Sequence, residues 1–380
     1  MSLFTIERIS MIIGIDASRA FLKRRTGIEE YAYQTIKHLR GVIPETDTVV
    51  LYVRQKLIRD GYRVRKETPD IDFTLPKNWR IRGIWAPRFW TQIALSLEML
   101  WRSPDVLFVP AHTVPLIHPA KTIVTIHGLE YEFCKEAYPF WDRLYMRTTI
   151  RFSCAAAQTV ICVSKNTKRD VMRLYAVAEE KIRVIYEGYD QEKAVAHQSS
   201  AQNEEKPYLL FIGRLEERKN IVRMIAAFEI LKDRHRIPHQ LVLIGKFGYG
   251  KEKIEAKLAA SRYRQAIILP GYVNEEEKWQ WLTRADVFLF PTLYEGFGIP
   301  ILEAQSAGVP VVTSSTSSLP EVAGEGAFYV DPTSAESIAA GIQEVIFDQV
   351  LREEIKKKAT HNVNRFGWQR CAALIGELLR

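Results

Sequence analysis

The chain has 380 residues, with 53 Lys+Arg against 45 Asp+Glu and a formal net charge of +8, long enough for two domains that each bury a core. Ordinary aliphatic and aromatic content without low-complexity tracts excludes a disordered chain, and no apolar run reaches membrane-spanning length. Cys134, Cys154, Cys162 and Cys371 lack disulfide or metal-ligand spacing and the N-terminus lacks a signal-peptide pattern, so a reduced, cytoplasmic protein is expected.

In the first half, short apolar runs at Ile12–Asp16, Val49–Val53, Val106–Val109, Thr122–His127 and Thr159–Val163 predict buried parallel strands. Helical periodicity follows each one, the pattern of a doubly wound α/β domain. After the first strand, Thr26-Gly27-Ile28 opens a helix and can turn backbone N–H groups toward a phosphate. This is neither a Gly-x-Gly-x-x-Gly fingerprint nor a Walker loop, which removes the main support for dehydrogenase and kinase readings. Trp79, Trp85, Phe89, Trp90 and Trp101 interleave with Arg80, Arg82, Arg88 and Arg102. The tryptophans are expected to fill the first core, while the arginines suit either water or a membrane headgroup region. Thr125-Ile126-His127-Gly128 ends a strand, so His127 can point into a cleft and donate to a sugar hydroxyl, or else be a structural histidine satisfied by a nearby backbone group. Ser164 is expected to cap the helix after it, and no nucleophile elbow supports a hydrolase triad. A last strand at Ile182–Tyr186 closes a first domain over 1–188, and a polar linker is expected over 189–206.

Charge divides the chain. Residues 1–185 carry 29 Lys+Arg against 19 Asp+Glu, the remainder 24 against 26. A basic half suits an anionic membrane surface or an acidic acceptor. Nucleic acid is disfavoured, since no recognition motif accompanies the charge.

The second half repeats the plan over 207–366, with strands at Tyr208–Gly213, Gln240–Gly245, Ala266–Leu269, Val287–Pro291 and Val309–Thr313. Helices are predicted at Ile221–Arg234, Ile254–Tyr263, Glu275–Thr283, Pro300–Ala307, Ser334–Phe347 and Val350–Arg365. A closing helix over 367–380 is placed back across the first domain. Gly213-Arg214 and Lys219-Asn220 join the first strand of this half to its helix, so Arg214 and Lys219 can converge on one anion. No Asp-x-Asp pair stands near a strand end, and no metal or cofactor is called for. Glu295-Gly296-Phe297-Gly298 runs directly into a helix carrying Glu303, which places two carboxylates beside a helix N-terminus suited to phosphate. A ligand with hydroxyls at both ends and phosphate between them, such as a nucleotide-sugar, has that layout.

These stretches, with Gly308-Val309-Pro310-Val311-Val312 and Ser318-Leu319-Pro320-Glu321-Val322, resemble the retaining GT-B glycosyltransferases marked by two glutamates seven residues apart. The resemblance implies two Rossmann-like domains facing across a cleft. Arg214 and Lys219 would bind the donor diphosphate, and Glu303 the ribose hydroxyls. Glu295 with Gly296, Phe297 and Gly298 would hold the transferred sugar, His127 would stand at its far side, and Gly27 would close the phosphate site. Gly213 belongs to the same donor-binding loop. The mannosyltransferase branch has a similar Thr-Gly-Ile start, so GDP-mannose is the expected donor, ahead of UDP-glucose and UDP-N-acetylglucosamine. The expected acceptor is a glycan or lipid-linked saccharide of the cell envelope, and a catalytically idle sugar-nucleotide-binding subunit is the alternative. Three departures stand out. Gly128 follows the histidine where relatives carry an acid, and Glu187-Gly188 replaces Asn-Gly. Ser317-Ser318 replaces Gly-Gly, for which less close backbone approach is expected.

Overall fold

The computed structural model describes residues 10–22, 25–55, 57–60, 63–66, 71–86, 89–190 and 206–380. The linker segment 191–205 and Arg88 lie outside the described residues.

The first sheet is wholly parallel and contains β1 (Ile12–Asp16), β2 (Thr48–Gln55), β5 (Trp79–Trp85), β6 (Val106–Val109), β7 (Lys121–Ile126), β8 (Thr159–Cys162) and β9 (Ile182–Val184). Between its second and third strands lies a small antiparallel ribbon of β3 (Leu57–Asp60) and β4 (Arg63–Lys66). The strand order is β5-β2-β1-β6-β7-β8-β9. The second sheet holds β10 (Tyr208–Ile212), β11 (Gln240–Ile244), β12 (Ile267–Gly271), β13 (Val287–Phe290), β14 (Val311–Ser314) and β15 (Phe328–Val330), in the order β12-β11-β10-β13-β14-β15. Central strands such as Val106–Val109 and Val287–Phe290 are buried at every position, because helices cover both faces of a parallel sheet. In each sheet the order reverses beside its first strand, at β1/β6 and at β10/β13. Ligands of this architecture bind outside the strand ends at those points.

Three elements were not anticipated. The strand Trp79–Trp85 is exposed over most of its length, and an edge strand with alternating arginines carries no continuous apolar run. The ribbon and the three-residue strand Phe328–Val330 are too short to leave a period. The aromatic assignment is corrected in part: Trp79 and Trp90 are buried, whereas Trp85, Phe89 and Trp101 stand exposed.

The two domains are in contact through buried apolar and polar side chains. Phe297, Leu302 and Val322 of the second domain pack into the first domain's core with Trp368, Cys371 and Ile375. Tyr294 donates to Asp170 at 2.6 Å, and Glu321 accepts from the backbone N–H groups of Lys165 and Asn166 at 2.8 and 3.2 Å. The last helix, Trp368–Leu379, lies on the helix Gly27–Leu39. There Arg380 donates to the Val42 carbonyl at 2.7 Å. The chain segments passing between domains cross at Gly188, where a Cβ would lie 2.3 Å from the Trp368 nitrogen. Only glycine fits that crossing.

Candidate active site

The second domain's wall is built on the switch point. Gly213 leaves β10 with φ +157° and its N–H on the Ile244 carbonyl at 2.9 Å. Asn220, in the left-handed region at φ 65°, donates to the carbonyls of Pro291 and Pro332 at 2.8 and 2.7 Å. It thereby ties the loop after β10 to the loop after β13. The helix runs Ile299–Ser306, one residue earlier than predicted, with Gly298 as N-cap at φ 119° and Pro300 in the first turn.

The Glu295–Phe297 loop is held by the serines that replace Gly-Gly. Ser317 accepts from the Glu295 N–H at 3.1 Å, and Ser318 donates to the carbonyls of Glu295 and Phe297 at 2.9 and 2.7 Å. The serine side chains therefore brace this backbone. Ser317 keeps the left-handed geometry a glycine would take, φ 55°.

Glu295 and Glu303 are both buried, and each meets its own lysine. Lys219 Nζ lies 2.7 Å from Glu295 Oε1, and Lys278 Nζ lies 2.9 Å from Glu303 Oε1. Burial pushes the Glu295 carboxyl up, but Arg218 and Lys219 outweigh it and leave the group below its ordinary range. For Glu303 burial wins over Lys278, and its carboxyl sits above the ordinary value. The Lys219 ammonium is depressed by burial, with Glu295 opposing the shift.

The predicted convergence of Arg214 and Lys219 is not the arrangement present. Arg218 stands beside Lys219, with Nη1 3.1 Å from Glu295 and donating to the Tyr294 carbonyl at 2.9 Å, and Nη2 2.9 Å from Glu216. Arg214 leaves 63% of its side chain exposed and, among the described residues, pairs with Glu216 at 3.7 Å. One guanidinium is thus committed to protein acceptors, and the other is left at the mouth of the site. Among the described residues no cluster of His, Cys, Asp and Glu has the makings of a metal site.

At His127 the first domain's wall holds a structural histidine rather than a free donor. Its Nδ1 lies 2.9 Å from Glu187 and its Nε2 2.8 Å from the Pro110 carbonyl, so neither ring nitrogen is left for a sugar hydroxyl. The two backbones approach closely at Gly128 and Gly296. A Cβ at Gly296 would lie 1.5 Å from the His127 carbonyl oxygen, and one at Gly128 3.1 Å from the Gly296 Cα. The two walls touch through these glycines. Gly27 starts its helix with nothing within 4 Å of a Cβ position, so open space stands above it. Ser164 caps its helix as anticipated, accepting from the Thr167 N–H at 3.0 Å.

Sequence reasoning missed Arg218, Lys278 and His112. Arg218 and Lys278 sit in charged runs whose local pattern distinguishes no single member. His112 follows β6 at the first sheet's switch point, with φ 57° and its ring edge-on to His127 at 5.1 Å. Its Nδ1 is buried without a hydrogen-bond partner, and burial, then His127 and Arg19, push its pKa well below the ordinary value.

Comparison with known proteins gives the same architecture. A family model described as "Glycosyltransferase Family 4" matches residues 25–193, and one described as "Glycosyl transferases group 1" matches 192–362. The O-antigen chain mannosyltransferase B of Escherichia coli is 29% identical over 66% of this chain and 68% of its own length. The O-antigen chain mannosyltransferase RfbU of Salmonella typhimurium is 24% identical over 85% of this chain and 88% of its own. Among solved structures, the sucrose-phosphate synthase of Thermosynechococcus elongatus superposes with a TM-score of 0.74 at 19% identity, covering 97% of this chain and 98% of that one.

Proposed function

The chain is a GT-B glycosyltransferase of the group 1 and family 4 families, and we propose that it transfers mannose from GDP-mannose, with retention of configuration, to a glycan or lipid-linked acceptor of an envelope polysaccharide. The observation that carries the donor choice is the likeness to two O-antigen chain mannosyltransferases.

Arg214, exposed at the mouth, swings onto the donor diphosphate and meets Lys219 there. Arg218 is a positioning residue, whose bonds to the Tyr294 carbonyl and Glu295 hold the loop that faces the sugar. Glu295 and the backbone of Gly296, Phe297 and Gly298 receive the transferred hexose. Glu303, with one oxygen on Lys278, keeps the other for the ribose hydroxyls. Gly27, with open space above its Cα, lets the helix N-terminus approach the phosphates from the first domain. His127 backs the sugar pocket, its ring orientation set by Glu187 and Pro110. The acceptor hydroxyl attacks on the side from which the diphosphate leaves, through an oxocarbenium-like state. As the sugar–phosphate bond breaks, the departing phosphate takes the acceptor's proton.

A thermal-shift panel with GDP-mannose, UDP-glucose, UDP-N-acetylglucosamine, GDP and UDP tests the donor. Binding stabilises by about 2.7 kcal/mol at a hundredfold excess over Kd. A shift with guanine nucleotides alone is the expected result. A shift with uridine nucleotides alone replaces the donor, and a shift without any sugar transfer to an acceptor or to water favours the idle-subunit alternative.

A further inference from the structure

The first domain turns a large apolar surface outward. The segment 89–101 buries Trp90, Leu95 and Met99 against the sheet and exposes Phe89, Ile93, Leu97, Leu100 and Trp101, the last 74% exposed. That spacing lines one side of a helical segment. The helix Phe140–Ala156 covers the same sheet face through Ile150 and Cys154, and it exposes Phe140, Trp141, Leu144 and Tyr145, with Trp141 75% exposed. A loop runs between the two, with Ile117 N–H on Ser96 and Val114 N–H on Ser153, and it adds exposed Leu116 and Ile117. Three neighbouring ribs therefore share one outward face. A contiguous apolar surface of this kind on a water-soluble domain marks an interaction site.

The exposed charges around this face are mostly cationic. Arg80, Arg82, Arg102 and Arg151 are exposed. Glu98 is buried against Arg82 at 3.1 Å and Arg102 at 3.6 Å, and Glu132 is taken by Arg147. Asp142 is the exposed carboxylate on the apolar end of the second helix. Along that helix Phe140, Leu144, Arg147 and Arg151 fall on one side at three- and four-residue steps, apolar first and basic behind. Aromatic rings at the level of headgroups with arginine stems reaching anionic phosphate is the pattern of an interfacial surface.

We propose that this face seats the protein on an anionic lipid bilayer and presents the cleft to it. The apolar end adjoins the active site. Phe133, seven residues before Phe140, stacks on Tyr294 of the second domain with ring centroids 4.6 Å apart. An acceptor anchored in the bilayer would thus enter beside the donor site. The proposal holds whichever nucleotide-sugar is used.

The test is vesicle flotation of the full chain with phosphatidylcholine vesicles and with phosphatidylglycerol-containing vesicles. Wild type is compared with Trp101→Ser/Trp141→Ser and with Arg80→Gln/Arg102→Gln. We expect binding to anionic vesicles that weakens with salt. We also expect the tryptophan pair to lose about tenfold or more and the arginine pair about fivefold or more. The thermal shift by the donor, measured without vesicles, is expected to be unchanged in all variants. This confirms their fold and separates failure of the surface from failure of the donor reading. Absence of anionic-vesicle binding, equal binding to neutral vesicles, or full binding by the tryptophan pair would overturn the proposal. So would a wild-type dimer that the tryptophan pair converts to monomer, because the face would then be buried between copies.

Discussion

The second domain meets the cleft with paired charges, and the first meets it with histidines and glycines. On the second wall, Arg218 and Lys219 are buried against Glu295, and Lys278 against Glu303. Burying cations without those carboxylates would cost several kcal/mol each, so the glutamates serve as counter-ions before any donor arrives. On the first wall His112 is held neutral by burial, and His127 is closed off by Glu187 and Pro110. The difference teaches that the anion-handling chemistry is concentrated on one side. The other side supplies shape and close backbone contact, so that the walls approach without bringing cation against cation.

The sharpest way to break this comparison is at Arg218. Arg218→Ala leaves Glu295, Glu216 and the Tyr294 carbonyl short of a partner, and we expect a loss of about 3–5 kcal/mol in unfolding free energy, read by denaturant titration. A loss no larger than that of a surface substitution would remove its bracing role. Arg214→Ala is the contrasting case. With its side chain largely exposed, stability is expected to stay within about 0.5 kcal/mol of wild type. Turnover, by contrast, is expected to fall roughly 100-fold or more, as it does when one preorganised charge stabiliser is removed. Lys219→Ala is expected to lower turnover similarly, and near-wild-type rates in both variants would count against the diphosphate assignment.

Gly296→Ala probes the contact between the walls. Its methyl would meet the His127 carbonyl oxygen, and overpacking of this kind typically costs about 1–3 kcal/mol. Turnover is expected to drop while nucleotide binding by the second domain persists. A fully active Gly296→Ala enzyme would show that the walls need not touch.

The smallest effect concerns pH. His112 has a folded pKa below its unfolded value, so below about pH 6.5 the unfolded chain binds more protons and stability falls. Thermal midpoints of wild type are expected to decline between pH 7.5 and 5 more steeply than those of His112→Gln. Parallel curves would show that His112 protonates freely in the fold.

Much of this was legible in the chain. Central strands such as Val106–Val109 announce themselves because covered parallel strands must be apolar throughout. Gly298 with Pro300, and Ser164, mark helix starts through turn and cap chemistry that acts over a few residues. The exposed edge strand Trp79–Trp85 was not legible, because its pattern mixes tryptophan with arginine and satisfies neither periodicity. Glu295, Glu303 and Lys219 were named from spacing, but not that Lys219 pairs with Glu295, nor that Arg218 and Lys278 join them.

The amino-acid sequence by itself determined the two doubly wound sheets and the glutamate-bearing loop in the second of them. These depend on periodicity and turn chemistry, which are local. Only the tertiary structure decided that Glu187 engages His127 from 60 positions away, that Ser317 and Ser318 brace Glu295, and that Arg218 rather than Arg214 stands beside Lys219. It also decided that Trp90 is buried while Trp101 faces outward. A hydrogen-bond partner or a covering surface comes from whatever distant segment the fold brings near, and no short-range pattern encodes it.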